Sequence, residues 1–356
     1  MTILSVVGNR PQFVKAAPLS RALRDRAREV LVHTGQHYDP ELADMIMGEL
    51  GVPSPERTLG IGPGSPTAQI AAILTGLEPV IAEEQPSAVV VYGDTTTTLA
   101  AALSAAKNGL PLAHVEAGLR SFNRTMPEEQ NRVVTDHLSD LLLCPTDQAV
   151  ANLAAEGLTE GVMRVGDVMY DAALMFAEVA RQRPGPAEHG FSAGEYLLMT
   201  VHRAAATDTR EALQALLEVT AAVDRPILFP VHPRTRARLE AEGLWVELEG
   251  QEHVHLLPAV GYLDFAALLM SAAAVLTDSG GVQKEAYFHR VPCLTLRDET
   301  EWVETVEAGA NELTGMDPEA VVAALGTART PVELPQLYGD GNASLEIAAA
   351  ITALAD

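Results

Sequence analysis

Ala88-Val89-Val90-Val91-Tyr92, then Gly93-Asp94-Thr95, then the stretch from Thr95 to Lys107, then Leu112-Ala113-His114-Val115-Glu116 read as an apolar run, a break, a segment with apolar residues at helical spacing, and a second apolar run. Runs this short and this continuously apolar are strands of a parallel sheet covered on both faces, and the longer segment is the crossover helix between them. The same alternation extends outward. Ile3–Val7, Glu29–His33 and Leu141–Cys144 read as further strands, and Pro11–Arg24, Pro66–Glu84, Pro127–Ser139 and Asp147–Glu156 as helices, several opening with Pro or Thr.

The pattern restarts after Arg181-Gln182-Arg183-Pro184-Gly185-Pro186, a polar, proline-bearing stretch of the kind that separates domains. Tyr196–Val201, Pro226–Phe229, Val254–Leu257, Ala274–Thr277 and Cys293–Leu296 read as strands, with helices at Asp208–Ala222, Leu263–Ser271 and Gly280–Phe288. A chain of 356 residues exceeds one ordinary core. The expectation is an α/β protein of two Rossmann-like, doubly wound domains facing a central cleft. The first domain covers 1–168 and the second 169–342, and a closing helix at about 343–356 packs back on the first. In open parallel sheets a ligand sits beyond the carboxyl ends of the strands, so the loops there are where chemistry is sought.

Charge narrows the partners. Twenty-four Lys+Arg against 48 Asp+Glu leave a formal charge of -24, which repels a phosphate backbone, so no nucleic acid is expected. Any basic cluster is then a local device, and lysine occurs only at Lys15, Lys107 and Lys284. No apolar run approaches the ~18 to 20 residues of a membrane span, and the first residues lack the basic flank and cleavage site of a signal peptide. The distant Cys144 and Cys293 suggest neither a disulfide framework nor a zinc site, which fits a soluble, cytoplasmic protein. His253-Val254-His255 shares one strand face but has no third ligand near, so no metal is expected.

Gly8-Asn9-Arg10-Pro11-Gln12-Phe13-Val14-Lys15 places two cations at a strand end and on the helix that follows, where free N–H groups also favour an anion. It is not G-x-G-x-x-G, so a dinucleotide site of that type is disfavoured. Gly93-Asp94-Thr95 offers an acid followed by hydroxyls, with Asp94 equally readable as a helix cap. Glu116 ends an apolar strand, where a carboxylate is costly unless paired or used. Pro127-Glu128-Glu129-Gln130-Asn131-Arg132 starts a helix, where carboxylates also complement the dipole. Carboxylates from successive strand ends and helix starts converge on one place, and such a cluster suits proton transfer. In the second half, His202-Arg203 and His232-Pro233-Arg234 end strands, and Asp278-Ser279-Gly280-Gly281 turns a strand into a helix through small residues that a phosphate can approach. Glu285, one turn on, can accept two ribose hydroxyls.

Together with Thr34-Gly35-Gln36-His37 and Tyr338-Gly339-Asp340-Gly341, these segments span nearly the whole chain. In this order they resemble the non-hydrolysing UDP-N-acetylglucosamine 2-epimerase family, which shares its two-Rossmann architecture with the GT-B glycosyltransferases. The resemblance implies reversible C2 epimerisation of UDP-GlcNAc to UDP-ManNAc by elimination of UDP and its re-addition through 2-acetamidoglucal, without a cofactor or obligatory metal. It implies Asp94, Glu116 and Glu128 as acid/base groups and His202 as a catalytic contact near the diphosphate. Arg10 and Lys15 would line the same cleft, with Arg132 and His232 as further contacts. Ser279, Gly280, Gly281 and Glu285 would hold diphosphate and ribose. A homodimer and a place in polysaccharide biosynthesis are family expectations.

Finer features, Arg10-Pro11-Gln12-Phe13, Ser121-Phe122-Asn123, Gln283-Lys284-Glu285-Ala286 and Glu301-Trp302-Val303-Glu304, resemble the subgroup acting on UDP-2,3-diacetamido-2,3-dideoxyglucuronic acid. UDP-GlcNAc stands first as the family's commonest substrate. Two departures count against a simple transfer of function. Ala204-Ala205-Ala206 replaces a glutamate and a polar residue usual after the His-Arg pair, which points to a weakened enzyme or a nucleotide-sugar sensor without turnover. Gln36, His37 and His232 match the place where some members bind a second substrate molecule, but Asp39 and Gly60–Gly64 do not, so weak or absent substrate activation is expected. A GT-B glycosyltransferase is the remaining alternative, because fold alone does not exclude it.

Overall fold

The computed structural model describes residues 1–35 and 48–355; Gln36, His37 and Asp39 lie outside the described residues, as does the side chain of Arg10. The chain folds as two compact units, residues 1–175 with 336–356, and residues 176–335. In the first, β1 (Thr2–Val7), β2 (Arg28–His33), β3 (Arg57–Thr58), β4 (Ala88–Tyr92), β5 (Leu112–Val115), β6 (Leu141–Cys144) and β7 (Val162–Arg164) form a parallel sheet in the order β3-β2-β1-β4-β5-β6-β7. In the second, β8 (Leu197–Thr200), β9 (Ile227–Pro230), β10 (Val254–Leu257), β11 (Ala274–Thr277), β12 (Cys293–Thr295) and β13 (Asn311–Leu313) form another, ordered β10-β9-β8-β11-β12-β13. Each order reverses once, between β1 and β4 and between β8 and β11. At such a reversal the crossovers leave on opposite faces, the following loops part, and a ligand finds room at the strands' carboxyl ends.

Alternation along the buried strands supplies both faces of each sheet with a core. In the second unit Leu197, Met199, Ile227, Phe229, Ala274 and Leu276 enter one cluster, while Tyr196, Leu198, Leu228 and Val275 enter the other. In the first, Leu4, Val6, Val30, Val32, Val89, Val91 and Leu112 pack together. Asn9, Ser65, Thr95, Thr146, Thr209 and Ser279 each present a side-chain oxygen to a first-turn N–H of the helix they precede. Thr95 and Thr98 cap each other reciprocally, so the cap of the Thr96–Lys107 helix is Thr95 and Asp94 is left for other partners.

Thr209 also restarts the chain: the helix read from Asp208 begins at Arg210, after a separate short helix Ala204–Thr207. Val168–Arg181 is helical, with Val168, Met169, Ala172, Ala173, Phe176 and Ala180 buried at three- and four-residue spacing. The division between the units falls inside this helix. The stretch that reads as a linker, Arg181–Pro186, runs from the final residue of this helix through a turn into a 3-10 helix, Gly185–His189.

The helix Ala343–Ala355 packs on Arg10–Arg24 within the first unit. Asp171, buried, receives its first turn, with Ala343 N at 3.2 Å, Ser344 N at 2.7 Å and Ser344 Oγ at 2.6 Å. Just upstream, Asp167 N donates to the Tyr338 carbonyl at 3.0 Å, and a Cβ on Gly166 (φ +84°) would stand 2.8 Å from that oxygen. Tyr338-Gly339-Asp340-Gly341 thus seats the returning chain. Asp171→Ala leaves two buried N–H groups without their acceptor and is expected to destabilise the protein by about 1–3 kcal/mol. Urea denaturation measures this, and an unchanged midpoint would contradict it.

Candidate functional site

The loops at the sheet reversal of the first unit are stitched together by Gln12. Its Oε1 accepts Gly8 N at 2.7 Å, and its Nε2 donates to the Tyr92 carbonyl at 2.9 Å and to Thr95 and Thr98 Oγ1 at 3.0 Å each. Lys15, on the second turn of Arg10–Arg24, points its ammonium at Glu116: Nζ to Oε1 is 2.5 Å, with side chains 10% and 7% exposed. Gly93 lies against this pair. It has φ +60°, and a Cβ there would come within 2.9 Å of Lys15 Nζ and 3.4 Å of Glu116 Oε1. A side chain at 93 would be both strained and intrusive.

Asp94 pairs with Arg132 through Oδ2 and Nη2, and Arg132 Nη1 also reaches Glu129 Oε2 at 3.0 Å. Glu129 is spent on the loop before it, accepting Ser121 N, Ser121 Oγ and Phe122 N at 2.9 to 3.0 Å. Glu128, its neighbour on the first turn of Pro127–Leu138, is half-buried and carries no hydrogen bond or ion pair among the described residues. It stands one turn ahead of Arg132, on the same helix face. Asp94, Glu116, Lys15 and Arg132 are therefore brought together, two carboxylates each matched by a buried cation, with Glu128 uncommitted beside them. Glu116 itself is left-handed at φ +71°, a conformation costing on the order of 1–3 kcal/mol in a non-glycine residue. The backbone is held there because Glu116 N and Ala117 N both donate to the Leu143 carbonyl at 3.1 Å.

In the second unit the reversal joins the loops after β8 and β11. Asp278, fully buried, accepts His202 N at 2.8 Å and Arg203 N at 2.7 Å on Oδ2, and His202 Nδ1 lies 3.2 Å from Oδ1. Burial alone would raise this carboxyl, but the His202 ring and the two backbone N–H groups outweigh it and hold Asp278 below the usual aspartate range. The His202 ring is 5.4 Å from that of His232, whose Nδ1 accepts Arg234 N at 3.2 Å as the cap of Pro233–Ala241. Ser279 caps Gly280–Phe288. The first glycine of the pair is the more crowded: a Cβ on Gly280 would sit 3.2 Å from Trp302 Nε1 and 3.5 Å from Glu301 Oε1, whereas one on Gly281 meets Ser279 Oγ at 3.9 Å. Glu301 is held by Arg203 at 3.3 Å and Arg297 at 2.9 Å, and the buried Lys284 ammonium lies 4.2 Å from the Trp302 ring centroid. Glu285 is buried on the same helix. Ala204 and Ala205 are exposed on the short helix that follows Arg203.

A carboxyl held below its unfolded value contributes stability that is complete above about pH 4 and is lost as pH falls through the folded value. Below about pH 4 the thermal midpoint of the wild type should therefore fall more steeply than that of Asp278→Asn. Calorimetry through the acid range checks this, and parallel slopes would remove that role from Asp278.

Sequence reading passed over Asp278, Arg203 and Glu301 as site residues. Asp278 had a usable signal, since it follows an apolar strand directly, as Glu116 does. Arg203 and Glu301 lie in segments that the sequence singles out, but their pairing is not readable there, because it joins residues 98 apart. Among the described residues no group of three His, Cys, Asp or Glu side chains is placed to hold a metal ion, and no helix is long and apolar enough to cross a membrane.

Comparison with known proteins accounts for the pattern as a whole. Residues 21–352 match the family model described as UDP-N-acetylglucosamine 2-epimerase. A UDP-N-acetylglucosamine 2-epimerase homolog of Methanococcus maripaludis is 44% identical over 350 residues, covering 98% of each chain. The UDP-2,3-diacetamido-2,3-dideoxy-D-glucuronate 2-epimerase of Pseudomonas aeruginosa is 44% identical over 358 residues, again covering 98% of each. The crystal structure of Methanocaldococcus jannaschii UDP-GlcNAc 2-epimerase, in complex with UDP-GlcNAc and UDP, superposes with a TM-score of 0.93 at 39% identity, over 99% of this chain and 100% of that one. Two parallel Rossmann-like sheets and these relatives agree with the architecture expected from the motifs: the chain is a GT-B-type member of the UDP-N-acetylglucosamine 2-epimerase family.

Proposed function

We propose that the protein inverts C2 of the hexosamine in a UDP-sugar, with UDP-GlcNAc and UDP-ManNAc as the first substrate pair. The observation that carries this is the trio Asp94, Glu116 and Glu128 on the first unit, two of them neutralised by Arg132 and Lys15 and one left open. The C2 proton is too weakly acidic for simple removal, so the reaction runs by elimination. A carboxylate takes the C2 proton as the C1–O bond to UDP breaks, giving 2-acetamidoglucal and UDP. UDP then adds back at C1 as a proton is delivered to the opposite face of C2. Acid/base groups are needed on two sides of the ring, and separate loops supply them. The leaving diphosphate gains negative charge, which suits the start of Gly280–Phe288, with Ser279, Gly280, Gly281, His202, His232 and Arg10 as its contacts and Glu285 on the ribose. In this reading residues 1–168 supply the acids and 169–342 the nucleotide site, no metal or cofactor takes part, and the enzyme works as a cytoplasmic homodimer in polysaccharide biosynthesis.

The Pseudomonas relative favours a second reading, in which the substrate is UDP-2,3-diacetamido-2,3-dideoxyglucuronic acid and the chemistry is unchanged. Proton NMR of each UDP-sugar in deuterated buffer, with no acceptor present, tests both. The C2 proton signal of one substrate should disappear as its epimer accumulates. Absence of both exchange and epimer formation with either sugar would leave a glycosyltransferase or a sensor.

A further inference from the structure

Asp94 is aimed by its backbone as much as by Arg132. The peptide leading into it hinges on Gly93, whose φ of +60° and missing Cβ let that unit swivel freely unless it is tied. Beyond the ladder bond from Gly93 N to the Val115 carbonyl at 2.9 Å, two side-chain ties exist, one buried and one partly buried. Asn131 Nδ2 holds the Asp94 carbonyl at 2.9 Å, and His114 Nε2 holds the Gly93 carbonyl at 2.7 Å. A carbonyl only accepts, so Nε2 carries a proton and donates it.

The imidazole cannot turn away from this duty. Its Nδ1 faces Asp136 Oδ1 at 2.7 Å, and Asp136 Oδ2 receives Arg120 Nη1 at 2.7 Å and Gly118 N at 3.2 Å. Arg120 is fixed in turn by a fork onto both oxygens of Glu156, at 2.7 Å each. His114 and Asp136 are 0% exposed, so neither can touch a substrate. The helix Pro127–Leu138 thus grips the Asp94 loop three times, through Asn131, through Arg132, and through Asp136 by way of His114. We infer that His114 is a positioning residue that sets the direction of the Asp94 carboxylate by anchoring the Gly93 carbonyl; this rests on the catalytic reading of Asp94 proposed above.

Two amide substitutions separate the anchor from mere packing. In His114→Gln the side-chain nitrogen falls near the place of Nε2, keeping the donation to Gly93 while giving up the bond to Asp136. In His114→Asn it falls near Nδ1, keeping Asp136 and losing Gly93. The expected result is that His114→Gln retains kcat within about threefold, while His114→Asn loses between about tenfold and 10²-fold in kcat with KM and UDP affinity unchanged. A packing role predicts the contrary, with kcat tracking the thermal stability of the two variants. Asp94→Asn serves as the reference. If Asp94→Asn is inactive while His114→Asn turns over normally, the inference fails and the catalytic reading stands. If Asp94→Asn is fully active, the catalytic reading fails and takes the inference with it. Should His114→Asn not fold, His114→Gln still decides, since a tenfold loss of kcat there at unchanged KM overturns the anchor.

Discussion

Glu116→Gln is expected to lower kcat by about 10²–10⁴-fold and to leave the affinity for UDP unchanged. The substitution preserves shape and hydrogen bonding but removes the capacity to take or give a proton at C2. The backbone geometry at 116 should survive it, although the buried Lys15 ammonium loses its counter-ion and stability falls. The left-handed backbone at 116 is held by two N–H donations to Leu143, and neither involves the side chain. If Glu116 were only a structural partner for Lys15, glutamine would still accept its hydrogen bond, and the rate would fall by far less. Isothermal titration with UDP beside steady-state turnover distinguishes the two outcomes.

Lys15→Met is expected to cost more than the rate. With the two side chains 10% and 7% exposed, methionine takes away the buried ammonium that Glu116 meets at 2.5 Å, and breaking such a pair from one side destabilises by up to about 3–5 kcal/mol. Combining Lys15→Met with Glu116→Gln removes both charges of the pair. The double variant should be less destabilised than the sum of the two single losses, by a coupling of about 0.5–3 kcal/mol, and should stay inactive. Additive losses in the double variant would mean that the pair does not exist as an ion pair in solution. Lys15 is also assigned a role by the sequence as a lining cation for the diphosphate.

What the sequence made legible was whatever repeats at short range. Ala88–Tyr92 and Leu112–Val115 are strands at the positions their apolar runs predict, and Pro66–Glu84 is a helix over the same residues. The two-residue β3 and three-residue β7 and β13 are too short to carry a period. The Val168–Arg181 helix runs directly into the proline-bearing stretch Arg181–Pro186, whose turn residues dominate the local signal. At the site, residue types and loop positions were readable, but partners were not. Nothing local links Asp94 to Arg132 across 38 residues, or Lys15 to Glu116 across 101. Those pairs arise because the sheet order brings β1 beside β4 and β4 beside β5, a consequence of topology that no window of sequence contains. The positive φ of Glu116 was equally hidden, since glutamate gives no sign of it.

The central claim, that the first unit's carboxylates move the C2 proton, is tested most directly by following solvent deuterium into C2 of the UDP-sugar by NMR. The comparison is between the wild type and Asp94→Asn, Glu116→Gln and Glu128→Gln. Rapid exchange in the wild type and at least a hundredfold slower exchange in each variant, at undiminished UDP affinity, is the predicted result. Exchange at the wild-type rate in all three would contradict it.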